Sequence, residues 1–255
     1  TLLFGRRLPP GLPSEKPRWI QLPLSKGITT IIETNHDSYR FGSFARLSED
    51  QMATLATHLN APQTAADTIL SGRSQPISVD LSGYGPVTIK KYLRGGLIRH
   101  LNRQTHVKWG ASRPQSEFTM LNRVRKLGVN TPEPVVYITK GKRFYQGWLV
   151  TRKLINTESL AELCKTGRSK AETATGELVH QVSLLIDNHI LHTDLHPGNV
   201  LVGLNGTAYI VDFDKARTDI HNRDKLRYHY NERWHRAIVK YGLPDWLDKI
   251  IASDL

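Results

Sequence analysis

Between His192 and Asp214 the sequence leaves the chain little choice. Asp194 and Asn199 stand five residues apart on a loop, His192-Thr193-Asp194-Leu195-His196-Pro197-Gly198-Asn199. Two short strand patterns follow, Val200-Leu201-Val202 and Ala208 to Val211, on either side of Asn205-Gly206, a strong type I′ hairpin signal. Asp212-Phe213-Asp214 comes directly after. A hairpin returns the chain to its starting point, so the Asp and Asn before it and the Asp after it can converge. Hard Mg²⁺ ions take oxygen ligands and bind through few carboxylates plus phosphates, which Asn199 and Asp212 would supply. Asp194 is then available to accept a hydroxyl proton.

Five prolines in the first 26 residues (Pro9, Pro10, Pro13, Pro17, Pro23) rule out a persistent regular element there, and residues 1–26 read as a flexible basic arm. Strand character begins at Ile28 to Ile32 and returns from Tyr39 to Phe44; Ser48-Glu49-Asp50-Gln51 then opens a helix running to about Asn60. Val79-Asp80-Leu81 and Val87-Thr88-Ile89-Lys90 alternate around a turn at Ser82 to Pro86. Phe118, Leu121 and Val124 predict a helix over Ser116 to Leu127, stopped by Gly128, and Val135 to Ile138 and Gly147 to Thr151 are strands. Past residue 153 the pattern turns helical: a helix capped by Thr157 with Leu160 and Leu163 inside, another from Ala171 to Asn188, and a last one from Asp224 to Tyr241 ended by Gly242 and Pro244.

The charge balance, 35 Lys+Arg against 23 Asp+Glu in 255 residues, is +12 and argues for an anionic partner: nucleic acid, an acidic lipid surface or an acidic substrate. Lys and Arg are spread along the chain with no aromatic platform among them, so no nucleic acid is expected. One cysteine, Cys164, excludes an internal disulfide and a thiolate zinc site and fits a reducing compartment. No apolar run approaches the ~20 residues of a membrane-spanning helix, so the chain is expected to be soluble or bound at a surface. It does not start with Met and is expected to be part of a longer one.

The triplet Asp194, Asn199 and Asp212 resembles the catalytic Asp, metal-binding Asn and metal-binding Asp of the protein-kinase-like superfamily. The resemblance implies a bilobal α+β fold. An antiparallel β-sheet N-lobe with an αC-type helix would span 27–152, and a short, mainly helical C-lobe 153–255. It also implies ATP and Mg²⁺. Lys90, on the same face of its strand as Thr88, resembles the lysine that contacts nucleotide phosphates; Lys91 points the other way. Glu117 resembles its acidic partner. Gly83 and Gly85 occupy the turn where a phosphate-covering loop is expected, and the link Val150 to Ile155 is expected to donate backbone hydrogen bonds to adenine. A competing reading takes His189, His192, Asp194 and His196 as zinc ligands, in a spacing that resembles without matching that of metallo-β-lactamase-like hydrolases. It leaves Asn199, Asp212 and Lys90 without a task.

From Asp-Phe-Asp, the 41 residues after Asp214 and the lack of an Ala-Pro-Glu segment, no peptide-docking platform is expected. Lys91-Tyr92-Leu93-Arg94-Gly95-Gly96-Leu97, Glu117-Phe118 with Leu121-Asn122-Arg123, and Ile210-Val211-Asp212-Phe213-Asp214-Lys215-Ala216-Arg217 are similar to stretches of the lipopolysaccharide kinases. That family comprises the 3-deoxy-D-manno-octulosonic acid (Kdo) kinases and core-heptose kinases. The resemblance implies phosphorylation of a sugar hydroxyl on an anionic lipid A–Kdo glycolipid, with Asp194 as base, by a protein held peripherally on the cytoplasmic face of the bacterial inner membrane. Arg94, Arg99, Arg103, Arg217 and Arg223 are candidates for the acceptor's anionic groups. The alternatives are a kinase of the aminoglycoside or choline type and a catalytically silent kinase-like binding module.

Overall fold

Strands β1 (Ile32–His36), β2 (Tyr39–Ser43), β6 (Pro134–Lys140), β7 (Phe144–Arg152), β4 (Gly85–Lys91) and β3 (Ile77–Leu81) pair antiparallel in that order, and β5 (His106–Val107) adds to β7. A computed structural model provides these coordinates and describes residues 30–60, 76–92, 106–107, 110–142 and 144–254. The arm over 1–26 and Arg94, Arg99 and Arg103 lie outside the described residues. Helix α1 (Glu49–Asn60) lies between β2 and β3, and α2 (Arg113–Lys126) precedes β6. From residue 157 onward the elements are β8 (Thr157–Ser159), α3 (Leu160–Thr166), α4 (Arg168–Asp187), β9 (Val200–Gly203), β10 (Ala208–Ile210), α5 (Arg223–Tyr241) and α6 (Trp246–Asp254). The last three strands form a small sheet of order β10-β9-β8. This is the expected α+β architecture. Among the described residues no helix is long and apolar enough to cross a membrane.

Alternation assigns each face of the large sheet a different partner. Val87 and Ile89 of β4, with Trp148 and Val150 of β7, face α1 through Met52 and Leu55. Tyr92 and Leu149 face the other way and join Phe118, Leu121 and Val124 of α2 in a core that continues through α3 to α6. The start of α1 is a capping box: the Ser48 hydroxyl accepts from Gln51 N–H at 3.2 Å and Gln51 Oε1 from Ser48 N–H at 2.9 Å. Helix α2 is seated by aromatic rings, with Phe118 stacked on Phe44 at 4.7 Å and edge-on to Tyr137 at 5.4 Å. Two glycines make that seat. A Cβ on Gly42 would lie 2.1 Å from the Tyr137 ring, and one on Gly147 2.8 Å from Pro114 in the first turn of α2. The helix ends in a Schellman pair, Gly128 N–H to Arg125 C=O and Val129 N–H to Val124 C=O, both at 3.1 Å.

Three local expectations need correction. Strand β1 occupies Ile32–His36, with Ile32 opposite Ser43 through His36 opposite Tyr39; of the expected Ile28 to Ile32, residues 28 and 29 lie outside the described residues and residues 30 and 31 stand before the strand. Thr157 does not cap a helix. Thr157–Ser159 is drawn into β8 by pairing with β9, and Ser159 caps α3 by accepting from Glu162 N–H. The β9–β10 connection is not a two-residue type I′ turn: Gly206 has a φ of 85° but Asn205 is not left-handed. Gly206 N–H bonds Gly203 C=O at 3.0 Å and Gly203 N–H bonds Thr207 C=O at 2.9 Å, a three-residue loop with glycine in the left-handed position.

Candidate active site

Period two along β4 puts Lys90 on the α2 side, and its ammonium meets two carboxylates there. Nζ is 2.8 and 3.0 Å from the oxygens of Glu117 and 2.7 Å from Asp212 Oδ1. Lys91, on the opposite face, lies over the Trp148 ring at 5.9 Å. Burial works to lower the Lys90 pKa, but Glu117 first and then Asp212 outweigh it, and the ammonium is held above its ordinary value. Glu117 is 2% exposed. Burial raises its carboxyl, with Lys90 and a hydrogen bond from the Tyr92 hydroxyl opposing that rise.

The contacts continue into a closed circuit. The Tyr92 ring lies 5.1 Å from Lys90 Nζ and 5.2 Å from the guanidinium carbon of Arg113, the first residue of α2. Arg113 in turn donates through Nε, at 3.1 Å, and a terminal nitrogen to the two oxygens of Asp214. Asp212 and Asp214 thus tie α2 to one loop from two sides, while Phe213 between them is buried against the His192 ring at 4.6 Å. The acidic third position of Asp-Phe-Asp gains its explanation here: it anchors the N-terminus of α2. Asp212 itself holds a φ of 68°, a left-handed conformation rare for a residue with a Cβ.

The loop bearing Asp194 is built just as locally. Helix α4 ends in a Schellman pair, His189 N–H to Ile186 C=O and Ile190 N–H to Leu185 C=O, with His189 in the left-handed position at φ 57°. Tyr230 of α5 accepts the His192 N–H at 2.8 Å and donates to Ile190 C=O at 2.9 Å. The buried His192 ring bonds Val211 C=O through Nε2 at 3.0 Å and accepts the Asp194 N–H through Nδ1 at 3.3 Å. One nitrogen must donate and the other accept, so the ring is neutral with its proton on Nε2; burial lowers its pKa accordingly. Asn199 Nδ2 donates to Asp194 C=O at 2.9 Å, and Asn199 C=O accepts from Val211 N–H at 3.0 Å, next to Asp212.

The amide nitrogen of Asn199 is committed to the loop, which turns its Oδ1 into the group available to a cation. One carboxamide oxygen and one carboxylate on adjoining backbone form the hard, oxygen-only donor set that suits Mg²⁺ shared with phosphates. The zinc reading of the histidines is overturned. Among the described residues no group of three or more His, Cys, Asp or Glu side chains converges to hold a metal. His189 closes a helix, His192 braces two loops, and His196 Nδ1 accepts the Gly198 N–H at 3.1 Å.

Lys90, Glu117 and Asp212 come together, and Asp194 and Asn199 share one loop. Gly83 and Gly85 do not join them. Their φ values of 77° and 71° serve the β3–β4 turn, in which Gly85 opens β4. Five residues of extended strand separate it from Lys90, roughly 16 Å at the usual rise. The turn is held instead by Gln51 Nε2 on Ser82 C=O at 2.7 Å. In the expected adenine link, Arg152 N–H bonds Glu133 C=O and Lys153 N–H bonds Pro86 C=O, so these two donors are already engaged. Arg217 and Arg223 pair with Asp219 and Asp187 at the surface. The arginine at the site is one that sequence reasoning passed over: Arg233 of α5 donates to Asp194 Oδ1 through Nε at 3.2 Å and through a terminal nitrogen. Its spacing of three from Tyr230, on the same helix face, was the available signal.

Comparison with known proteins bears on the same residues. A 3-deoxy-D-manno-octulosonic acid kinase of Vibrio vulnificus (strain CMCP6) is 29% identical over 171 residues, 63% of this chain and 70% of the relative. One of Xanthomonas axonopodis pv. citri (strain 306) is 31% identical over 165 residues, 62% of this chain and 63% of the relative. One of Xylella fastidiosa (strain M23) is 29% identical over 173 residues, 66% of this chain and 68% of the relative. The lipopolysaccharide kinase (Kdo/WaaP) family matches residues 70–248, a span that holds Lys90, Glu117, Asp194, Asn199, Asp212 and Arg233. With its protein-kinase-like α+β fold, the chain belongs to this family and is a phosphotransferase with an alcohol group as acceptor.

Proposed function

We propose that the chain transfers the γ-phosphate of ATP, with Mg²⁺, to a hydroxyl of a lipopolysaccharide inner-core sugar, Kdo or heptose, on a lipid A precursor. The reading rests chiefly on one observation: a single ammonium, Lys90, bonds both the buried Glu117 of α2 and Asp212 beside the Asn199 loop. In this reading residues 27–152 and 153–255 act as two lobes, with the nucleotide phosphates beside the Lys90–Asp212 pair. Asn199 and Asp212 would hold Mg²⁺, which neutralises phosphate charge as transfer proceeds. Lys90, positioned by Glu117, steadies the nucleotide. Asp194 Oδ2 accepts the proton of the acceptor hydroxyl while the oxygen bonds to the γ-phosphorus, the bond to the bridging β–γ oxygen breaks, and ADP leaves. Attack is direct, in line, with no phosphoenzyme.

A net charge of +12 supports residence at an anionic leaflet, on the cytoplasmic face of the inner membrane where lipid A precursors and ATP meet. The names of the relatives support the choice of acceptor. The test is incubation with γ-labelled ATP and lipid A precursors that carry or lack Kdo and heptose. Label confined to a sugar-bearing precursor is the expected result. Label on free aminoglycosides, on protein, or nowhere overturns the reading.

A further inference from the structure

The roles above leave Arg233 without one. Its side chain is 24% exposed, and the guanidinium uses one edge, Nε and a terminal nitrogen, on a single oxygen of Asp194. The opposite edge meets no acceptor among the described residues, and Asp194 Oδ2 meets no donor among them. The side chain is firmly aimed. One turn earlier Tyr230 is bonded to Ile190 and His192, and the neighbouring Trp234 is buried with its N–H on Leu247 C=O at 3.3 Å.

A largely buried arginine with a planar edge left over is the geometry that receives a carboxylate through two parallel hydrogen bonds. The edge adjoins the group that takes the acceptor's proton, so the anion it serves must lie on the acceptor sugar, close to the reacting hydroxyl. We infer that Arg233 binds the carboxylate of an acidic acceptor sugar beside Asp194. This rests on the proposed function and decides within it, selecting a sugar acid such as Kdo over a neutral heptose.

The experiment pairs two enzymes with two acceptors. Transfer and equilibrium binding are measured for wild type and Arg233→Gln, with a Kdo-bearing lipid A precursor and with the same precursor after conversion of the Kdo carboxylate to its primary amide. Wild type should lose about 30- to 100-fold in kcat/KM on amidation, the scale of a lost charge-assisted pair. Arg233→Gln should lose less than about 3-fold, with KM for ATP unchanged in both. Arg233→Lys should restore part of the discrimination. Should the glutamine variant turn over too slowly, the same ratio is read from acceptor binding. An equal amidation penalty in both enzymes, or none in wild type, overturns the inference while leaving the kinase reading intact. Absence of transfer from wild type to either Kdo acceptor is failure of the function itself.

Discussion

Asp212 and Asp194 flank the same small hairpin and are held in opposite ways. Asp212 sits in a circuit drawn from three elements: Lys90 of β4, Glu117 and Arg113 of α2, and Asp214 of its own loop, joined through Tyr92. Asp194 has one side-chain partner, Arg233, and an oxygen with no partner among the described residues. Under the proposed function the difference follows from what each would meet. Phosphate and metal have fixed geometry, so over-determination would cost nothing there and would remove the reorganisation that charge otherwise demands. A sugar hydroxyl would have to enter and leave, and the group proposed to receive its proton is kept accessible.

Removing either carboxylate should have the largest effect. Asp212→Ala is expected to abolish transfer. Asp194→Asn should lower kcat by about 10²- to 10⁴-fold, the usual range for a positioned base. Both should keep near-wild-type circular dichroism melts; near-normal turnover by either would end the assignment. Lys90→Met then probes the closed side, because it leaves Glu117 buried with no cation. We expect a loss of about 3 kcal/mol in urea unfolding, the lower end for a broken buried pair because Lys90 retains some solvent contact, with part recovered in Lys90→Met/Glu117→Gln. Arg233→Gln, on the open side, should cost less than about 1 kcal/mol in the same measurement. Equal losses would erase the contrast.

Asp214→Asn and Arg113→Gln, singly and together, sharpen the role of the circuit. A double-mutant cycle should show coupling of about 1–2 kcal/mol, within the range for contacting charged groups, together with a raised KM for ATP as α2 loosens. Additive effects would reduce Asp214 to a local loop contact.

The pH dependence should isolate His192. Its folded pKa lies below the ordinary 6.5 because burial disfavours the imidazolium, with Asp212 and Asp194 opposing that effect. Below pH ~6.5 the unfolded chain takes up a proton that the folded chain refuses, so this stability is present above that pH and falls on acidification, by at most about 1.4 kcal/mol per pH unit. Denaturant melts between pH 5 and about 8 should show a shallower fall for His192→Asn than for wild type. Last, His189→Gly should stabilise by about 1 kcal/mol by relieving a left-handed side-chain residue at a helix end. A destabilised variant would mean that the His189–His221 ring contact at 5.4 Å outweighs it.

Much of this was legible in the order of residues, for reasons of short range. Alternation in β4 chose Lys90 over Lys91. Ser48 to Gln51 announced a capping box, and Asp194, Asn199 and Asp212 are gathered by one hairpin. These rest on period, cap and turn, each decided within a few residues. Thr157 failed for the complementary reason: a cap is a local preference, and β9 claimed the segment from across the fold. Gly83 and Gly85 lie at the β3–β4 turn, as the alternation on either side of Ser82 to Pro86 predicts, one strand length from Lys90.

The sequence alone therefore determined the residue set: an ammonium, two carboxylates and a carboxamide, carried to neighbouring places by strand alternation and one hairpin. Tertiary packing decided the company each group keeps. That Asp214 reaches back to Arg113, 101 residues earlier, and that Arg233 reaches Asp194 from α5, 39 residues later, depends on how helices seat against the sheet and the loop. No local period encodes those approaches; they are set by which buried rings, Phe118, Tyr230 and Trp234, fill the space beneath them.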